Sequence, residues 1–252
     1  MSSIVFITGA TSGFGLACAR KFAQHGYALI LNGRRKERLE ALSNELQEKY
    51  QTNSYLLPID VRNQEEITTS IANLPVAWRN IEVLVNNAGL AAGRDYFEEA
   101  SLDDWNQMID TNLKGFLYVS QAVAKWMAQN KKGHIINIGS TAGQVVYEKG
   151  NAYCATKFAV EALNQSMRID LLRHGIKVTA VNPGAAETEF SVVRFKGDTT
   201  TAAKVYEGLQ PLSAEDVAQV IYYTTTLPAH VCINDLTVTC LQQADSVYFH
   251  RK

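Results

Sequence analysis

The sequence predicts a single α/β domain, a doubly wound parallel sheet of about seven strands with helices on both faces. Short β-branched runs alternate with longer amphipathic stretches along the whole chain. The first run passes directly into a glycine-rich turn that opens a helix. The 252 residues contain no linker, repeat or low-complexity tract at which to divide them, so residues 1–252 are read as one domain.

In chain order, Ile4 to Thr8 is an apolar run of buried-strand length, and Phe14 to His25 repeats apolar residues at helical spacing before Gly26. Ala28 to Leu31 and Lys36 to Lys49 repeat the pair, as do Ser54 to Ile59 and Gln64 to Ile71. Val83 to Val85 follows, then one long helical pattern from Leu102 to Gln129, with Gly133 placed to end it. His134 to Ile138 gives the fifth strand, and Ala155 to Arg173 a helix that stops at Gly175. Val178 to Val181 is the sixth strand. Ala214 to Leu227 is a helix whose start is marked by Ser213 and Asp216, and Leu236 to Cys240 is the last strand. The rhythm breaks from Ala185 to Leu209, an insertion past the carboxyl end of a strand, where segments cover ligand.

Composition narrows the class of function. Hydrophobic residues make up 46% and charged residues 19%, the profile of a folded globular protein. Lys and Arg number 24 against 25 Asp and Glu, so no global field recruits nucleic acid or an anionic membrane. The start, from Ser2 to Gly9, has no basic stretch followed by an apolar core, no later segment approaches a membrane span, and the cytoplasm is the expected location. Cys18, Cys154, Cys232 and Cys240 show no CxxC spacing and are expected as buried thiols. The five histidines lack zinc-site spacing, and no metal is expected.

Thr8-Gly9-Ala10-Thr11-Ser12-Gly13-Phe14-Gly15 lies between the first strand and the first helix, the context of a dinucleotide site. Glycine permits a sharp turn and close approach to pyrophosphate, whose charge then meets a helix N-terminus. Gly9, Thr11, Ser12, Gly13, Phe14 and Gly15 are therefore cofactor candidates. The second strand ends Asn32-Gly33-Arg34-Arg35, where an NAD site offers a carboxylate to the ribose 2′-hydroxyl. Two guanidiniums suit a 2′-phosphate instead, so NADP(H) is expected, with Arg34 and Arg35 as ligands and Asn32 as a further contact. Asp60 and Val61 end the third strand, and Asn86-Asn87-Ala88-Gly89 the fourth. Asp60 can accept from the adenine amine, and Asn87, Ala88 and Gly89 shape the turn beside the ribose. Asn86 is expected to bond its own backbone.

Tyr153 and Lys157 stand one helical turn apart, and a neighbouring ammonium favours the phenolate of a tyrosine. Ser140 ends the fifth strand, 13 residues upstream of Tyr153. Together Gly9, Gly13, Gly15, the Asn86 to Gly89 turn, Asn112, Ser140, Tyr153, Lys157 and Pro183-Gly184 resemble the short-chain dehydrogenase/reductase family over nearly the whole chain. That resemblance implies a Rossmann fold. It also implies that Ser140 bonds the substrate oxygen, that Tyr153 exchanges its proton, and that Lys157 lowers the tyrosine pKa and holds the nicotinamide ribose. Asn112 is implied to anchor a water on the proton relay. Pro183, Gly184 and Thr188 are implied nicotinamide contacts, and a homotetramer is the implied assembly.

The substrate pocket is expected from Ser140, Gln144, Tyr147, Tyr153, Phe190 and Arg194, with Arg194 pairing to an anion. The stretch Glu189 to Asp198, with Ile109 to Asn112 and Thr226 to Val231, resembles the 3-hydroxy acid dehydrogenases of the family and the related sulfoacetaldehyde reductases. The expected substrate is thus a small anionic aldehyde or its alcohol. Gln144 and Tyr147 would serve the extra oxygen of a sulfonate; a carboxylate, as in serine or malonic semialdehyde, is the alternative. The tail from Ala244 to Lys252 is expected to reach a neighbouring subunit's pocket through Tyr248 and Arg251. A non-catalytic NADP sensor on the same fold is the rival, which intact Ser140, Tyr153 and Lys157 argue against.

Overall fold

The computed structural model describes residues 3–252; Met1 and Ser2, part of the segment read for a leader, lie outside them. The strands are β1 (Ile4–Ile7), β2 (Ala28–Asn32), β3 (Ser54–Leu57), β4 (Ile81–Asn86), β5 (Gly133–Ile138), β6 (Ile176–Pro183) and β7 (Asp235–Val238). They form one parallel sheet in the order β3-β2-β1-β4-β5-β6-β7. The order reverses between β1 and β4, which opens a crevice at their carboxyl ends.

Alternation along each strand feeds two cores. Val5, Ile7, Leu29, Leu31, Val83 and Val85 face α1 (Gly13–Gln24), α2 (Lys36–Tyr50) and α9 (Ala214–Thr225) through Phe22, Leu39, Leu46, Val217 and Ile221. Ile4, Phe6, Ile30, Leu84 and Ile135 face α3 (Gln64–Ala72) and α5 (Phe116–Asn130) through Ile67, Ile71, Val119, Val123 and Met127. Cover on both faces is why the central strands read as continuous apolar runs.

The helix read as continuous from Leu102 to Gln129 is divided. It consists of α4 (Leu102–Ile109), a π-helical turn over Asp110–Gly115, and α5. The widened turn lets the Asn112 amide reach across to the Leu90 peptide group, a tertiary bond that periodicity does not encode. The helix expected from Ala155 begins four residues earlier, as α6 (Asn151–Leu171), so Tyr153 sits in its first turn. Lys131, not Gly133, takes the left-handed position that ends α5; Gly133 opens β5 with Met127 packed against it. The expected cap of α9 is a full capping box between Ser213 and Asp216. Cys18, Cys154 and Cys240 are buried, but Cys232 is only partly so.

The insertion folds as α7 (Glu189–Arg194) and α8 (Thr199–Lys204) over the carboxyl end of the sheet. Three contacts hold it there: the Gly93 amide donates to the Arg194 carbonyl at 3.0 Å, Lys196 pairs with Asp104 at 2.8 Å, and Glu189 pairs with Arg38 at 3.0 Å. Among the described residues no helix is long and apolar enough to cross a membrane.

Candidate active site

A cavity of about 820 Å³ runs along the carboxyl ends of the strands, beneath α7 and α8. That is the size of a small-molecule site. One end is the turn after β1. Gly9 and Gly13 there adopt left-handed φ values of +64° and +51°, and a Cβ on Gly9 would lie 2.9 Å from the Asn87 amide. Asn87 itself ties the turn together, donating to the carbonyls of Thr8 and Gly9. Ser12 is the N-cap of α1 yet makes no side-chain capping bond, and it lines the cavity with Thr11, Gly13 and Phe14. Gly15 is buried beneath the turn and does not line the cavity.

Arg34, Arg35, Asp60, Val61, Ala88 and Gly89 line the cavity as expected. Arg35 donates to Thr11 Oγ1 at 3.0 Å and lies 3.5 Å from Glu189, which also pairs with Arg38. Burial acts to raise the Asp60 carboxyl, but bonds from Arg62 outweigh it and hold the group below its usual range. Asn32 also lines the cavity, with its amide nitrogen donating to the Leu57 and Ile59 carbonyls at the edge of β3. Asn86 donates to Ser120 and Asn137 rather than to its own backbone, one link in a buried polar row between β4, β5 and α6.

At the other end Tyr153, buried, lies with its ring centroid 5.5 Å from that of Phe190. Lys157, one turn later, is buried and donates to the Ile138 carbonyl at 2.8 Å. Burial pushes the Lys157 ammonium down to about 8, with Glu161 opposing. Burial also pushes the Tyr153 phenol well above its usual value, followed by Tyr147; Arg194 and a hydrogen bond with Ser140 act the other way. Tyr153 is protonated in this setting, the form that gives a proton to a carbonyl oxygen, and the Lys157 ammonium lies 6.0 Å from its ring.

Arg194 extends from the end of α7 over this tyrosine. Its guanidinium lies 5.2 Å from the Tyr153 ring and 5.5 Å from the Tyr147 ring, and it donates to the Tyr147 hydroxyl at 2.5 Å. Its Nε is buried without a partner among the described residues. Arg94, from the loop after β4, flanks Tyr147 at 5.9 Å and lines the same cavity. Pro183, Gly184 and Thr188 also line it, the last while capping α7 through a bond from the Phe190 amide.

Besides Gly15, three expected residues stand apart from the cavity wall. Gln144 follows a 3-10 turn over Thr141–Gly143 that directs its amide to Thr237 at 2.9 Å, away from the cavity. Asn112 has its side chain committed to Leu90 and Thr156, so it staples the loop after β4 to α6; a relay water would have to use its backbone. Tyr248 is 71% exposed and points outward. The tail forms a small hairpin, with Asp245 accepting from the amides of Val247 and Tyr248, and folds onto its own chain. Arg251 donates to the carbonyls of Val205 and Glu207, and Phe249 and Arg251 line the cavity of the same chain.

Sequence reasoning missed Arg94, Glu189 and Gln243. The first had a signal, an arginine directly after Gly93 in a loop leaving a strand end. Gln243, buried, accepts from the Ala185 amide at 2.7 Å and so braces the turn after β6; no local pattern announces that bond.

Comparison with known proteins agrees with this geometry. Residues 3–198 match the family model described as short chain dehydrogenase. The chain is 47% identical over 242 residues to an NADP-dependent 3-hydroxy acid dehydrogenase of Escherichia coli (strain K12), covering 96% of each. It is 46% identical over 249 residues to sulfoacetaldehyde reductase 2 of Chromohalobacter salexigens, covering 98% of each. The closed form of serine dehydrogenase complexed with NADP+ superposes with a TM-score of 0.91 at 45% identity, over 99% of this chain and 100% of that one. With Ser140, Tyr153 and Lys157 converging at one end of a cavity whose other end is a glycine turn, the chain belongs to the short-chain dehydrogenase family.

Proposed function

We propose that the protein reduces a small anionic aldehyde to its alcohol with NADPH, and runs the reverse reaction. Sulfoacetaldehyde, giving isethionate, is the first candidate substrate. The observation that carries this reading is the Arg194–Tyr147 pair placed over Tyr153, a cation and a hydroxyl donor beside the proton donor. NADP(H) is supported by Arg34 and Arg35 along the cavity and by the NADP-dependent relatives.

The nicotinamide, when bound, supplies or accepts the hydride. The chain does the rest. The Gly9 to Ser12 turn and the start of α1 meet the pyrophosphate, and Arg34 and Arg35 meet the 2′-phosphate. Ser140 orients the carbonyl oxygen, and Tyr153 gives it a proton in reduction or removes one in oxidation. Lys157 stabilises the resulting phenolate. Arg194, Tyr147 and Arg94 hold the substrate's anion, while α7 and α8 exclude water. The chain acts as one catalytic domain, with a homotetramer as its assembly and the cytoplasm as its location.

A second reading, oxidation of 3-hydroxy acids such as serine and reduction of malonic semialdehyde, gains from Gln144 turning away, because a sulfonate loses one of its expected donors. NADPH oxidation with sulfoacetaldehyde, malonic semialdehyde and succinic semialdehyde decides between them. A clear preference for the first supports the sulfonate, a preference for the second supports the carboxylate, and equally weak rates on all three would reject both.

A further inference from the structure

Glu161 lies behind the cavity wall, one turn beyond Lys157 on α6, so Tyr153, Lys157 and Glu161 follow one another at four-residue spacing along one side of the helix. Among the described residues its buried Oε1 makes no hydrogen bond, and neither does either amide atom of Asn182 on β6, which faces it. A carboxylate oxygen so placed needs a neighbouring charge or water to offset its desolvation. The Ser140 turn closes over it from the other side. A Cβ on Gly139 would collide with Asn182 and lie 2.6 Å from Glu161 Oε1, and one on Gly143 would lie 3.3 Å from Glu161 Cγ. Gly139 and Gly143, on either side of Ser140, thus pack close against the Glu161 side chain with no room for a Cβ at Gly139.

The groups facing Glu161 are few. Lys157 is on its own helix, neutral Asn182 is on β6, and Asp235 is on β7, itself paired with Arg168 of α6 at 3.4 Å. Facing Lys157 are Tyr153 on α6 and the Ile138 carbonyl on β5. Burial and then Asp235 raise the Glu161 carboxyl to about 7, while Asn182 and, more weakly, Lys157 draw it back. Burial alone lowers Lys157, and Glu161 is the charge that supports its ammonium form.

We propose that Glu161 is a positioning residue of the active site, sustaining the Lys157 ammonium and bracing the Ser140 turn from behind. This rests on the role given to Lys157 above. The sign follows from the charges: Glu161→Gln removes a negative neighbour, so the ammonium loses its proton at lower pH. Nitrogen-15 NMR of the Lys157 Nζ, in full-length protein with labelled lysine side chains, reads that midpoint directly. The wild-type midpoint is expected near 8, and that of Glu161→Gln lower by about one pH unit. The alkaline limb of kcat/KM for aldehyde reduction should move with it, while KM for the aldehyde changes little. Glu161→Asp, which keeps a shorter carboxylate, should show a smaller fall, and it decides the matter should Glu161→Gln not fold. An Nζ midpoint unchanged in the variant that folds overturns the proposal. Lys157→Met separates the two ideas: if it is inactive while Glu161→Gln leaves the midpoint unmoved, only the proposal about Glu161 fails. If Lys157→Met retains full turnover, the role of Lys157 fails and the proposal with it.

Discussion

Arg194→Met removes the guanidinium from the substrate end of the cavity while keeping a flexible apolar stem of similar length. The wild-type group is partly buried, bonds the Tyr147 hydroxyl at 2.5 Å, and has a buried Nε with no partner among the described residues. Truncating one member of a desolvated charge pair costs about 2–5 kcal/mol, and partial exposure favours the lower half of that range. A loss of about 3 kcal/mol, roughly a hundredfold in kcat/KM, is therefore expected for an anionic aldehyde, most of it in KM. A neutral control, propionaldehyde, should lose less than about threefold, because reduction needs Tyr153 protonated and losing Arg194 removes an influence that lowers its pKa. Steady-state NADPH oxidation with both aldehydes gives the ratio directly. Equal losses on the charged and neutral substrates would refute an anion-binding role and assign Arg194 to shaping α7 instead.

Tyr153→Phe should lower turnover by about a thousandfold or more while NADPH still binds, measured by nucleotide fluorescence; retained turnover would remove the tyrosine from the chemistry. Replacing both Arg34 and Arg35 with Ala should weaken NADPH by about tenfold to a hundredfold and leave NADH nearly unchanged, and equal effects on the two nucleotides would reject the 2′-phosphate role. His134, buried against Thr179 Oγ1 at 2.7 Å, is lowered from 6.5 to about 4 by burial, with Lys177 adding to it. Its folded value lies below its unfolded one, so its contribution is complete above pH 6.5 and is lost as pH falls towards 4. At most about 3 kcal/mol is at stake, and His134→Gln should flatten the decline of urea midpoints between pH 6.5 and 4.5. The same decline in both proteins would exclude His134 as its source.

Much of the site was legible because its parts are local. The glycine turn, Ser140 at a strand end, and Tyr153 with Lys157 at helical spacing all depend on short segments whose geometry follows from residue type. What was illegible depends on long-range contacts or on phase. Gln144 follows a tight turn whose exit direction depends on packing against β7, so its side chain meets Thr237 instead of the cavity. In the tail hairpin neighbouring side chains point opposite ways, and the residue beside Tyr248, Phe249, is the one that faces inward. The π-helical turn forms around a bond between Asn112 and Leu90, 22 positions apart, and a helical pattern carries no trace of it. Glu189, Arg94 and Gln243 likewise meet the cavity only after β2, β4, β6 and the tail have assembled.

The most direct test of hydride transfer to an anionic aldehyde uses NADPH with both hydrogens of the nicotinamide C4 replaced by deuterium, incubated with sulfoacetaldehyde or malonic semialdehyde and analysed by mass spectrometry of the alcohol formed. The structure predicts one deuterium on the carbinol carbon for each NADPH consumed, with wild-type protein and not with Tyr153→Phe. NADPH that binds tightly but is consumed with neither aldehyde would contradict the enzymatic reading and favour a nucleotide sensor on the same fold.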